Sequence, residues 1–212
     1  MKKVLCFIIA IAMATLLAGC GGKDNSNEVS SESIENVESS VTQTDILSGK
    51  HHVEITVKDY GTISVELDAD AAPISVTNFV KLAEEGFYDG LTFHRIIDGF
   101  MIQGGDPLGT GMGGSDDKIK GEFSDNGVEN NLSHTRGAIS MARARDYNSA
   151  SSQFFIVHED STFLDGQYAC FGYVTEGIEV VDAICEAVPV TDNNGTVEKE
   201  NQPVIESIQV ID

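Results

Sequence analysis

The sequence predicts a mainly β fold, an antiparallel barrel or sandwich with helices at its ends, on three observations. Two alternating apolar runs at 52–58 and 62–67 flank a turn at Gly61, the pattern of a hairpin with one buried face. Further short apolar runs recur between Gly-rich and polar loops. Nowhere do strand and helix patterns alternate as a parallel sheet would require.

Taken in chain order, the first segment is an export signal. Lys2 and Lys3 precede an apolar run at 4–17, broken only by Thr15, which is too short to span a bilayer comfortably. It ends in Leu17-Ala18-Gly19-Cys20, which resembles the lipobox of bacterial lipoproteins. That resemblance implies a signal peptide over 1–19 and a lipid on Cys20, so the chain is expected outside the cytoplasm, anchored to a bacterial membrane. Residues 20–50 read as the anchor and a disordered tether, because Ser, Asn and Glu dominate and the stretch from Asp24 to Asp45 holds six acidic residues and no basic ones.

The folded domain is expected over 51–212. After the hairpin, Pro73, then Val76, Phe79, Val80 and Ala83 at helical spacing, then Gly86 mark an amphipathic helix. Strand patterns follow at 91–97, 100–103, 138–141, 153–157 and 169–173, a second helix at 178–185, and a closing strand at 204–211. Phe93, Ile96, Ile97 and Phe154 read as core. Of the four Cys, only Cys170 and Cys185 lie in the domain, and two buried free thiols are expected there.

Composition narrows the function. With 34 acidic against 13 basic residues, a net charge of -21 makes nucleic acid an unsuitable partner. Gly109 to Gly114 matches a dinucleotide-binding pattern, but Asp106-Pro107 precedes it and Ser115-Asp116-Asp117 follows, where that motif needs a strand and a helix; a flexible surface loop is expected. Asn194-Gly195 reads as a hairpin turn, and His51-His52 as an incidental exposed pair.

The stretch Phe93-His-Arg-Ile-Ile-Asp-Gly-Phe-Met-Ile-Gln-Gly-Gly-Asp106 places an Arg among apolar residues with no nucleophile beside it. It resembles the signature of cyclophilins, the peptidyl-prolyl cis/trans isomerases. Gly137-Ala-Ile-Ser-Met-Ala142, Ser152-Gln-Phe-Phe-Ile156, Phe163-Leu-Asp-Gly166 and Phe171-Gly172 agree with the family in order and spacing. The resemblance implies an eight-stranded antiparallel β-barrel closed by two helices. It assigns catalysis to Arg95, Phe100 and Gln103, substrate contacts to Met101, Ala142, Arg143, Phe155, Phe163, Leu164 and Tyr168, and a hydrogen-bonded supporting role to His94. Phe163 and Tyr168 replace the Trp and His of many eukaryotic members, as in bacterial ones, so weak cyclosporin binding is expected. Arg143 stands where many members carry Asn.

Rotation about an Xaa-Pro bond makes and breaks no covalent bond, so no cofactor or metal is expected to serve it. The expected partners are proline-containing exported polypeptides, and the expected state is a monomer. A non-catalytic module that holds proline-containing chains is the alternative reading.

Overall fold

Among the described residues, eight strands form one antiparallel sheet: β1 (Lys50–Val57), β2 (Gly61–Asp68), β3 (Thr92–Ile97), β4 (Met101–Asp106), β5 (Ala138–Met141), β6 (Phe154–Val157), β7 (Cys170–Glu176) and β8 (Ile205–Val210). Their order across the sheet is β3-β4-β6-β5-β7-β2-β1-β8. The computed structural model describes residues 46–212. The expected signal peptide, Cys20 and nearly all of the expected tether lie outside the described residues. Leu47 already donates its N–H to Thr77 Oγ1 at 2.9 Å and packs against the core, so the fold begins slightly before residue 51.

The two end strands approach each other. Thr92 and Val204 form an isolated antiparallel bridge, the Phe93 N–H donates to Pro203 O at 3.0 Å, and the Ile205 N–H to Leu91 O at 2.8 Å. This is a join of single bonds and not a continuous ladder, so the described sheet is a strongly curled one.

Alternation sorts side chains onto two faces. The inner face carries Val53, Ile55, Ile63, Val65, Ile102, Ile139, Phe154 and Ile156, all essentially inaccessible to solvent. Phe79 of helix α1 (Pro73–Glu84) fills the middle of this core, with ring centroids 5.3 Å from Phe154 and 5.2 Å from Phe171. The outer face carries a separate cluster of Met101, Ala138, Phe155, Val157, Leu164 and Cys170.

The helices cover the inner core. Helix α1 starts at Pro73 without a local side-chain cap. Its first free N–H groups are met from a distance, since the buried Glu122 carboxylate accepts from Ile74 N at 2.9 Å and from Ser75 N at 2.8 Å. Helix α2 (Ile178–Ala187) buries Val180, Val181, Ile184 and Cys185 and packs against β2. Among the described residues, Cys170 and Cys185 are both free and buried.

Two offsetting bulges lie between β3 and β4. Phe93 pairs with Gly104 and Arg95 with Gln103, which leaves His94 as an extra residue on β3; Thr92 pairs with Asp106, which leaves Gly105 extra on β4. The β3 bulge shifts the phase of alternation, so Phe93 and Ile96 both face the core although three positions apart. It also corrects the expectation for Ile97, which is half-buried and packs with the outer cluster.

Candidate active site

Arg95 lies just past the β3 bulge, on the outer face. Its Nε donates to Asn194 O at 2.8 Å, Nη2 to Asn194 Oδ1 at 3.2 Å and Nη1 to Gln103 Oε1 at 3.2 Å. Partial burial lowers its pKa from the ordinary value, against the opposing influence of Tyr168 and Asp192. Gln103 passes the network on, donating from Nε2 to Gln153 Oε1 at 2.9 Å, and Gln153 Nε2 donates to Gly113 O at 2.7 Å. Both ends of the Gln103 amide are therefore occupied within the protein, and a peptide that uses it must exchange one of these bonds.

All ten residues expected to touch substrate share one groove. Arg95, Phe100, Met101, Gln103, Ala142, Arg143, Phe155, Phe163, Leu164 and Tyr168 line a depression of about 340 Å³. Met101, Phe155 and Leu164 form its buried floor. Phe163 is 65% exposed at the rim, its ring centroid 5.6 Å from that of Phe100. Tyr168 packs edge-on against Phe155.

Arg143 is committed to the protein. Its Nη2 and Nε donate to Gln167 O at 2.8 and 3.0 Å, and its guanidinium lies over Tyr168, Tyr147 and Phe123 at 4.6, 4.8 and 5.2 Å from the ring centroids. It thus stiffens the groove wall through cation–π contacts.

His94 departs from expectation. It is buried, and neither ring nitrogen has a hydrogen-bond partner among the described residues. Burial holds its pKa below the ordinary imidazole value, Asp106 opposes this and Arg95 adds to it. The bulge turns the ring away from the groove, and the neighbouring donors go elsewhere: Leu108, Thr110 and Gly111 give their N–H groups to the Asp106 carboxylate. Burial alone would raise the Asp106 pKa, but these bonds together with one from Gly113 outweigh it and hold it low. The Gly-rich segment expected to be a flexible loop is thus wound around one buried carboxylate.

Three contributors were not assigned a role from sequence. Asn194 comes from the 191–196 turn, which the Asp192 carboxylate organises by accepting from Asn194 N and Thr196 N at 2.9 and 3.0 Å. Gln153 connects Gln103 to the Gly-rich loop. His134, fully buried, stacks on Phe155 from behind with ring centroids 5.9 Å apart and is fixed by Asp165 and Ser140 at 2.8 and 3.0 Å. A turn signal announced the first, but nothing in the sequence linked it to an Arg far up the chain. His51 and His52, expected to be incidental, both contact Asp212.

The sequence also matches the family model for cyclophilin type peptidyl-prolyl cis-trans isomerases over residues 52–210. The chain belongs to the cyclophilins. It is 51% identical over 123 residues to peptidyl-prolyl cis-trans isomerase B of Bacillus subtilis, covering 58% of this chain and 82% of that one. It is 43% identical over 170 residues to peptidyl-prolyl cis-trans isomerase A of Dickeya dadantii, covering 76% and 84%. A solved cyclophilin type isomerase of Cryptosporidium parvum superposes with a TM-score of 0.68 at 31% identity, covering 77% of this chain and 99% of that one. The same enzyme, solved in the presence of the dipeptide Ala-Pro, gives 0.67 at 32% identity, covering 76% and 99%. Like its relatives, this cyclophilin is a peptidyl-prolyl cis-trans isomerase.

Proposed function

We propose that this cyclophilin accelerates Xaa-Pro rotation by presenting the Arg95 guanidinium to the twisted amide. As the amide loses resonance, the prolyl nitrogen becomes pyramidal and its lone pair localises. An N–H aimed at that lone pair stabilises the twisted state more than either planar one, and such differential binding is what lowers a barrier. The observation that carries this reading is the way Arg95 is held. Of the five N–H donors of a guanidinium, three go to Asn194 and Gln103 oxygens, which fixes the group at the groove while leaving donors for substrate.

The apolar floor of Met101, Phe155 and Leu164, with Phe100 beside it, holds the proline ring while the acyl side turns. Gln103 and Ala142 orient the chain before the proline, beside a wall that Arg143 lines and stiffens. Bringing a process of tens of seconds to milliseconds is about ten-thousandfold, or about 5.4 kcal/mol at 1.36 per decade, within reach of a charged hydrogen bond plus restraint.

NMR exchange on an Ala-Pro peptide tests this. The full chain should speed cis/trans exchange, and Arg95→Ala should lose about 10²–10³-fold, by analogy with deletion of one transition-state donor. Peptide binding without acceleration would instead favour a non-catalytic binding module.

We read the curled sheet as a barrel closed through the Thr92–Val204 bridge, and the protein as a monomer. The substrates are proline-containing exported polypeptides, on the support of the apolar run at 4–17 and of Leu17-Ala-Gly-Cys20, with Cys20 lipidated and the domain tethered to the membrane. In cells, the native chain should partition into a detergent phase, and Cys20→Ser should move it to the aqueous phase; equal partitioning of both would remove the anchor from this reading. Phe163 offers no indole N–H, which supports weak cyclosporin binding.

A further inference from the structure

Away from the proline groove, the β3–β4 turn, the end of β6 and the buried side of α2 bring together an Asp, a His and a Cys. Donor atoms of Asp98, His158 and Cys185 lie within 4.8 Å of one another. His158 Nε2 is 3.0 Å from Asp182 Oδ1, and Arg136 Nη2 donates to both oxygens of Asp182 at 2.8 Å. On the other side of the ring, the Gly99 N–H donates to His158 Nδ1 at 3.0 Å. Nε2 therefore carries the imidazole proton and Nδ1 its lone pair.

Asp98 Oδ1, itself an acceptor, stands 3.4 Å from that same Nδ1. A carboxylate facing an imidazole lone pair, with a thiol beside both, is unfavourable by itself and suits a cation between them. The spacing fits, because tetrahedral Zn²⁺ with N and O ligands at about 2.0–2.1 Å sets those ligand atoms about 3.3–3.4 Å apart. The surroundings fit as well, since a metal-bound His ordinarily gives its other N–H to a carboxylate, and Asp182, gripped by Arg136, occupies that place.

We propose that Asp98, His158 Nδ1 and Cys185 form a binding site for Zn²⁺ or a similar borderline first-row dication, with Asp182 orienting the imidazole and a water completing the coordination. A Cys, His and carboxylate donor set selects this class of metal over Mg²⁺ or Ca²⁺. On binding, the Cys185 S–H bond breaks, its proton goes to solvent, and a sulfur–metal bond forms. The Gly99 N–H gives up Nδ1 to the metal. Asp98 is 80% exposed on its side chain and is free to swing onto the ion. Burial, assisted by Asp98 and Asp182, pushes the Cys185 thiol up to about 12, so without metal it stays protonated; the same carboxylates attract a dication. No step of proline isomerisation is assigned to this metal.

Co²⁺ and Zn²⁺ titration of the reduced, metal-free full chain tests the site. One equivalent of Co²⁺ should give a sulfur-to-cobalt charge-transfer band in the near ultraviolet, and Zn²⁺ should abolish it by displacement. The band should vanish in Cys185→Ser and persist in Cys170→Ser and Cys20→Ser. Zn²⁺ affinity should fall at least tenfold in His158→Ala, and about 10–100-fold in Asp182→Asn, as expected for loss of an orienting carboxylate. Peptide exchange, unchanged in Cys185→Ser, verifies that this variant folds and carries the test even if His158→Ala does not. Absence of the band, its survival in Cys185→Ser, or Zn²⁺ held without sulfur at His51 and His52 would overturn the proposal.

Discussion

Arg95 illustrates how little of a residue's role lies in its own side chain. Its reach and charge are common to any Arg, but its direction comes from Asn194, which accepts two of its N–H donors, one at the backbone oxygen and one at Oδ1. Asn194→Ala removes only the second. It should lower kcat about tenfold, about 1.4 kcal/mol, and leave KM nearly unchanged, because Asn194 positions the guanidinium and does not line the proline pocket. A rise in KM at constant kcat would show that Asn194 binds peptide instead. The motif at 93–106 made Arg95 legible in the sequence. Asn194 was legible only as a turn, since no local pattern specifies a tertiary hydrogen bond across the chain. His94 was misread for a related reason: a β-bulge cannot be seen in a period-two pattern, and the bulge decides which way the imidazole points.

At the scale of elements, neighbouring residues of one strand serve different ends. Phe154 is completely buried among Phe79, Tyr88 and Phe93, whereas Phe155 belongs to the outer cluster under the groove. Phe154→Ala should destabilise the protein by about 3–5 kcal/mol through cavity formation. Phe155→Ala should cost less stability and raise KM for a proline peptide severalfold. Denaturant unfolding read beside exchange kinetics checks the pair, and equal loss of stability at both positions would contradict the separation of faces. The hairpin, α1 and most strands were legible because alternation, Pro73 and Gly86 mark them locally. The start of α1 was only half visible, since its N–H groups are met by Glu122, far along the chain. The 191–196 turn also depends on a tertiary fit at Gly195, where φ is +79 and a side chain would run into the Ile96 carbonyl oxygen.

For the molecule as a whole, two buried imidazoles contribute to its response to acid at the mildly acidic end. Burial lowers the pKa of His94 and of His134, and although Asp165 opposes the shift at His134, both remain below the ordinary value. The unfolded chain therefore binds more protons than the folded one once pH drops below about 6.5. From these two groups, stability should be flat above that pH, decline as pH falls below it, and level off once pH passes below the folded-state pKa values. His94→Leu should make the decline shallower by up to one proton's linkage, as read from melting temperature against pH; an unaltered slope would mean that His94 is already charged in the fold.

The meeting of β3 and β8 also has a consequence for how the sheet meets other chains. An exposed strand edge is a template on which other chains polymerise. Here the β3 backbone is engaged beyond β4 as well: the Ile96 N–H donates to Gly195 O, the Val197 N–H to His94 O, and the Phe93 N–H to Pro203 O. A protein that binds extended proline-containing peptides meets unpaired backbone, and among the described residues this arrangement leaves no row of free donors and acceptors at β3 to extend. A peptide is thereby left to engage the groove, from which it can depart, and not to add itself to the sheet as a further strand.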